Sequence, residues 1–118
     1  MAGRSAYAEF SRAIKHRHLT HAEAAARELP HLSLNDSLAL CLLYAEKAPA
    51  KYPRSAARWH ARLVIEAGCE LLESQLALTA LMLLCGPARE RASTVLLELA
   101  QRHRIDLRHA LAPRAEQA

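Results

Sequence analysis

Aromatic side chains are nearly missing from these 118 residues: one Trp, three Tyr and one Phe, 4% in all. The core therefore has to be assembled from Leu, Ala, Val and Ile, which supply most of the 52% apolar content. Gly is as scarce, with three in the chain, too few to build a loop that cradles phosphates. The β-branched residues a sheet requires are also sparse. Ala and Leu, by contrast, are strong helix formers.

Other absences exclude whole classes of function. Cys41, Cys69 and Cys85 stand at long, irregular spacing with no CxxC pair, so neither a zinc ribbon nor a thioredoxin-type redox pair is available. They read as small buried hydrophobes in a reducing compartment. The opening segment, MAGRSAYAEFSRAIKHRH, lacks the apolar stretch of a signal peptide. The longest run without charge, Ser74–Ala88, falls short of the roughly twenty apolar residues a membrane span needs. The expectation is a cytoplasmic protein with no membrane contact. No HExxH, no His pair at i,i+4 and no G-x-S-x-G elbow occurs, so no metal, no cofactor and no enzymatic activity are expected. His16 and His18, if on one helix, point about 200° apart and do not share a face. His103 reads as part of a packing line.

Two stretches carry no charge in a chain that is 24% charged: Ser37–Ala45 and Ser74–Ala88. Each reads as a helix apolar around most of its circumference, hence a core helix wrapped by others. Around them the punctuation predicts further helices. One spans about Ser5–His18, with Tyr7, Phe10 and Ile14 as its apolar stripe. A second spans Thr20–Leu29, opened by a Thr20–Glu23 capping box, carrying a Glu23–Arg27 pair and ended by Pro30. Ser33 caps a third, Leu34–Lys47. Pro53 and Gly68 bound a fourth, Tyr52–Ala67. A fifth covers Leu71–Cys85, and a sixth Ala88–Arg104 after Gly86-Pro87. Asp106 caps a last short turn, and residues 113–118 are expected to fray. The fold class is all-α: one domain over residues 1–118, a compact bundle or helical-hairpin array of about six to seven short antiparallel helices.

The fourth helix has the most informative surface. Lys51, Arg54, Arg58 and Arg62 fall within one arc of about 80°, beside a separate apolar stripe of Tyr52, Ala56, Trp59 and Leu63. One face packs and the next is basic. Arg in such a row binds carboxylate or phosphate bidentately. Trp59, the only Trp, reads as the anchor of that helix, with His60 beside it. The net charge of +4 and a pI near 9.3 suit an acidic partner, without singling out nucleic acid. The segment Thr20–Leu38 has the outline of a helix-turn-helix, but its second helix, Leu38–Ala45, is apolar where a recognition helix needs polar and basic side chains.

Several pieces of the chain resemble a family of small uncharacterised all-helical actinobacterial proteins. They are the A-E-K-x-P-x-[KR]-Y core (Ala45, Glu46, Lys47, Pro49, Lys51, Tyr52) and the A-A-x-R-W-H-x-R piece, to which Ala56, Ala57, Trp59, His60 and Arg62 correspond, with Arg58 before the Trp and one residue fewer than the pattern. Glu73–Leu78 and Gly86–Glu90 fit as well. The resemblance implies a bacterial cytosolic protein from an accessory gene context and carries no activity. Ala48 stands where an Asp is frequent in that pattern. The functional expectation is a non-enzymatic interaction module, a regulatory or adaptor protein. It would meet an acidic protein surface or a second copy through Lys51, Arg54, Arg58, Trp59, His60 and Arg62. The alternative is a nucleic-acid-binding accessory protein using the same basic face.

Overall fold

The computed structural model describes residues 2–113, and these form six α-helices and, among the described residues, no strand. They are α1 (Ala2–Lys15), α2 (Leu19–Glu28), α3 (Leu34–Lys47), α4 (Tyr52–Ala67), α5 (Leu71–Leu83) and α6 (Arg89–Arg102). A 3-10 turn, Pro49–Lys51, leads into α4. Short connections make sequence neighbours antiparallel neighbours in space, so the helices associate as α1/α2, α3/α4 and α5/α6 hairpins. The described part measures 41 × 29 × 25 Å. No described helix is long and apolar enough to cross a membrane. The tail expected to fray lies, from residue 114 on, outside the described residues.

Helix ends follow the local chemistry in most places. Ser33 Oγ accepts the Asp36 amide at 3.0 Å and opens α3. Gly68 adopts φ 69°, a left-handed conformation that glycine reaches without a Cβ clash. There the amides of Gly68 and Cys69 both reach the Val64 carbonyl, at 3.0 and 3.2 Å, and α4 stops. The turn after α6 is held by Asp106, whose carboxylate accepts the Arg108 amide at 3.0 Å. The start of α2 differs from expectation. The residue before the helix is His18, with no side-chain cap. Glu23 instead accepts the Tyr44 hydroxyl at 2.7 Å and pairs with Lys51 at 3.6 Å. A tertiary charge-assisted bond has displaced a local one.

α3 fulfils the expectation of a core helix, for a reason the structure makes plain. Leu34, Leu38 and Cys41 pack into the main apolar cluster with α4, α5 and α6. Leu43, on another side of the same helix, packs with Phe10, Ala13, Ala22 and Ala25 of the α1/α2 hairpin. A helix sandwiched between two clusters has to be apolar on both sides.

α5 does not meet that expectation. Only Ala77, Ala80 and Leu81 are buried on it, with Leu84 just beyond its end. Leu71, Leu72, Leu76, Leu78, Met82 and Leu83 are 42% to 77% exposed. The physical reason is a shortage of cover. α1 and α2 are committed to α3, and only α4 and α6 make substantial contact with α5. Two neighbouring helices shield about half of a helix surface, so the rest of this all-round apolar helix faces outward.

Candidate functional site

The residues expected to bind a partner separate into two groups along α4. Tyr52, Ala56, Trp59 and Leu63 form its buried stripe. Trp59 is 1% exposed, and its indole N–H donates to the Leu34 carbonyl at 2.8 Å. The Tyr52 hydroxyl donates to the Leu81 carbonyl at 2.6 Å. These two bonds satisfy the polar tips of large buried rings and tie α4 to the start of α3 and the end of α5. Trp59 therefore acts as an anchor under the surface, with no face open to a partner.

His60 is half-buried between α4 and α5. Its Nε2 lies 2.8 Å from the Ser74 carbonyl and 3.2 Å from Ser74 Oγ. A ring nitrogen this close to a carbonyl has to carry the proton. It donates and cannot take the serine's proton, so this Ser/His contact joins two helices and does not activate a nucleophile.

The four cations of the basic arc are not equivalent. Lys51 pairs with Glu23 and lies 5.8 Å from the centroid of the Tyr44 ring. Burial and the Glu23 contact push the Tyr44 hydroxyl up to about 12. The Arg62 guanidinium bonds Glu66 at 2.8 Å, one turn along, and approaches His31 at 3.4 Å. Arg54 and Arg58 are exposed and, among the described residues, make no ion pair or side-chain hydrogen bond. At helical spacing they share an outward stripe with Ala61 and with Ile65, which is 80% exposed. The basic arc thus reduces to two open guanidiniums beside one large apolar side chain.

α5 carries the larger open surface, which its charge-free sequence hides. The eight exposed positions (Leu71, Leu72, Gln75, Leu76, Leu78, Thr79, Met82 and Leu83) occupy an arc of roughly 160° at 100° per residue. Six are large and apolar, and the other two are uncharged. The arc is also palindromic about Ala77. Leu76 mirrors Leu78, Gln75 mirrors Thr79, Leu72 mirrors Met82 and Leu71 mirrors Leu83.

At the other end of α5 three potential metal ligands converge. Cys69, Glu73 and His103 place one ligand atom each within 4.8 Å of one another. Glu70 and Glu73 form a reciprocal capping box at the start of α5, in which Glu73 Oε1 accepts the Glu70 amide at 3.2 Å. Glu73 Oε2 meets His103 Nε2 at 2.9 Å. The cap bond first, and His103 second, hold the Glu73 carboxyl below its ordinary range, while burial and the Glu73 charge push the Cys69 thiol up. Sequence reasoning missed this cluster because the three residues belong to no spaced motif. Its one local signal is the i,i+4 placement of Cys69 and Glu73.

The histidines near the first turn also depart from expectation. α1 ends at Lys15, and Arg17 turns the chain with φ 58°. His16, His18 and His21 are therefore not on one helix, and their rings gather with centroids 6.1 and 5.7 Å apart. All three are exposed. The helix-turn-helix outline fails in a definite way: most of α3, its second helix, is covered on both sides.

Fold and surface together define an all-α protein of three helical hairpins with one open apolar helix face. Comparison with protein-family models, with curated proteins and with solved structures gives no match to this chain.

Proposed function

We propose that the protein is a non-enzymatic interaction module that pairs with a second copy through the outer face of α5. The observation that carries the reading is the charge-free, palindromic arc of six large apolar side chains on that helix. A two-fold interface brings a surface patch against itself, so it needs self-complementarity. In an antiparallel pair centred on Ala77, each apolar position meets an apolar one, and Gln75 meets Thr79, which can hydrogen-bond it. No charge is desolvated. The exposed portions of the six apolar residues amount to roughly 650 Å², within the range of one partner's share of a standard interface. A patch of that size exceeds what monomers ordinarily leave open to water.

Arg54 and Arg58, with Ile65 beside them, offer a second and smaller contact to an acidic protein surface. Two open guanidiniums support this reading better than the nucleic-acid alternative, which needs a longer row of cations to gain affinity by counterion release.

Sedimentation velocity on the wild type and on Leu72→Glu/Leu76→Glu tests the pairing. The wild type is expected to sediment as a dimer at micromolar concentration. The double variant is expected to be a monomer with unchanged far-UV circular dichroism. A wild type that stays monomeric over the accessible range, or a variant that remains dimeric, overturns the proposal.

A further inference from the structure

We infer that Cys69, Glu73 and His103 form a zinc site that closes the junction between the end of α4, the start of α5 and the end of α6. The argument begins with how each ligand is placed. Cys69 follows Gly68, whose left-handed turn fixes the thiol beside the first residues of α5. Glu73 is held by the capping box, with one carboxylate oxygen committed to the Glu70 amide and the other turned to His103. His103 ends α6, and the next residue, Arg104, adopts φ 59°. A non-glycine residue in that region is strained, and such strain gathers where surrounding structure over-determines a geometry. All three ligands are thus set by helix ends and not by freely rotating surface chains.

The donor set suits the metal. One thiolate, one imidazole and one carboxylate match the borderline softness of Zn²⁺, which takes S, N and O together. The glutamate and histidine side chains are 15% and 21% exposed, which leaves water access on one side. Zinc bonds of about 2.0–2.3 Å put neighbouring donors roughly 3.3–3.7 Å apart. With ligand atoms already within 4.8 Å of one another, small side-chain rotations complete the set. Three protein ligands leave one position of a tetrahedron for water. The Glu70 amide on Glu73 is the kind of outer hydrogen bond that orients a metal-bound carboxylate. Binding displaces the proton that His103 Nε2 shares with Glu73 and releases the Cys69 thiol proton to solvent.

Titration of the reduced full-length chain with Co²⁺ tests the site, because a thiolate–cobalt bond gives a near-ultraviolet charge-transfer band. The expected result is a band that saturates at one equivalent and is bleached by Zn²⁺. It should vanish in Cys69→Ser and persist in Cys85→Ser, which alters an exposed thiol elsewhere. His103→Ala is expected to weaken Co²⁺ binding at least tenfold while helical circular dichroism is retained. Absence of a band at one equivalent, or a band untouched by Cys69→Ser, overturns the inference. Sedimentation reads the α5 pairing separately, so the two proposals fail or stand independently.

Discussion

Two residues in the described chain stand at positive φ without being glycine, Arg17 and Arg104. For an L-residue this region costs roughly 1–2 kcal/mol through the approach of Cβ to the backbone. Arg17 has compensation, since its guanidinium bonds Glu46 at 3.1 Å and so ties the α1–α2 turn to the end of α3. Arg104 is exposed and, among the described residues, makes no side-chain hydrogen bond or ion pair to offset its strain. Arg104→Gly is therefore expected to stabilise the fold by about 1 kcal/mol, seen as a rise of a few degrees in Tm. An unchanged or lower Tm would show that the Arg104 side chain contributes more than its strain costs. Nearby, the Arg108 guanidinium and then its amide lower the Asp106 carboxyl from 3.8 to about 2. A carboxylate pKa depressed by folding stabilises the native state above its unfolded value. This contribution is complete above pH 4 and fades as pH falls towards 2. Asp106→Asn should flatten the dependence of Tm on pH in that window.

Among elements, α3 and α5 make an instructive pair, since both are charge-free along most of their length. Leu38 is 0% exposed and Leu72 is 67% exposed. Leu38→Ala is expected to cost about 2–5 kcal/mol, the transfer term plus a cavity. Leu72→Ala should leave the stability of the monomer within about 0.5 kcal/mol, as a surface change does. Urea unfolding of both variants, at protein concentrations low enough to keep α5 unpaired, makes the comparison. Equal losses would contradict the difference in burial between Leu38 and Leu72. The same pair shows how much was legible in the sequence. Helix positions were readable because caps and breakers act locally: Ser33, Pro53 and Gly68 punctuate the chain whatever lies around them. Depth was not readable. An apolar circumference says that a helix has surface to cover, and only the tertiary arrangement decides what covers it. The basic arc of α4 shows the same limit. Its four cations were visible in the spacing, whereas the pairing of Lys51 with Glu23 and Arg62 with Glu66 depends on rotamers and on a distant helix. The Cys69–Glu73–His103 cluster joins positions that only folding brings together.

For the molecule as a whole, the two apolar clusters are unequal. The larger joins α3 to α6 and the turn around Leu107, Ala110 and Leu111. The smaller has Phe10 as its only buried ring, three alanines of α1 and α2, and Leu43 of α3. Alanine buries little area, so the α1/α2 hairpin is held by less hydrophobic free energy than the remainder. It should open as a unit below the global unfolding free energy. Native-state hydrogen exchange is expected to show α1 and α2 amides exchanging through a common opening that leaves α3 to α6 protected. A single opening free energy for all six helices would rule that out.

The double cover of α3 also bears on how this chain tolerates change. A side chain on most helices answers to one packed surface and has solvent as an outlet on the other side. Along α3, residues 34, 38 and 41 answer to one cluster and residue 43 to the other. A volume change that tilts the helix to relieve one side compresses the other. Substitutions here have to be accepted by both clusters at once, so α3 has the narrowest room to drift among the described helices.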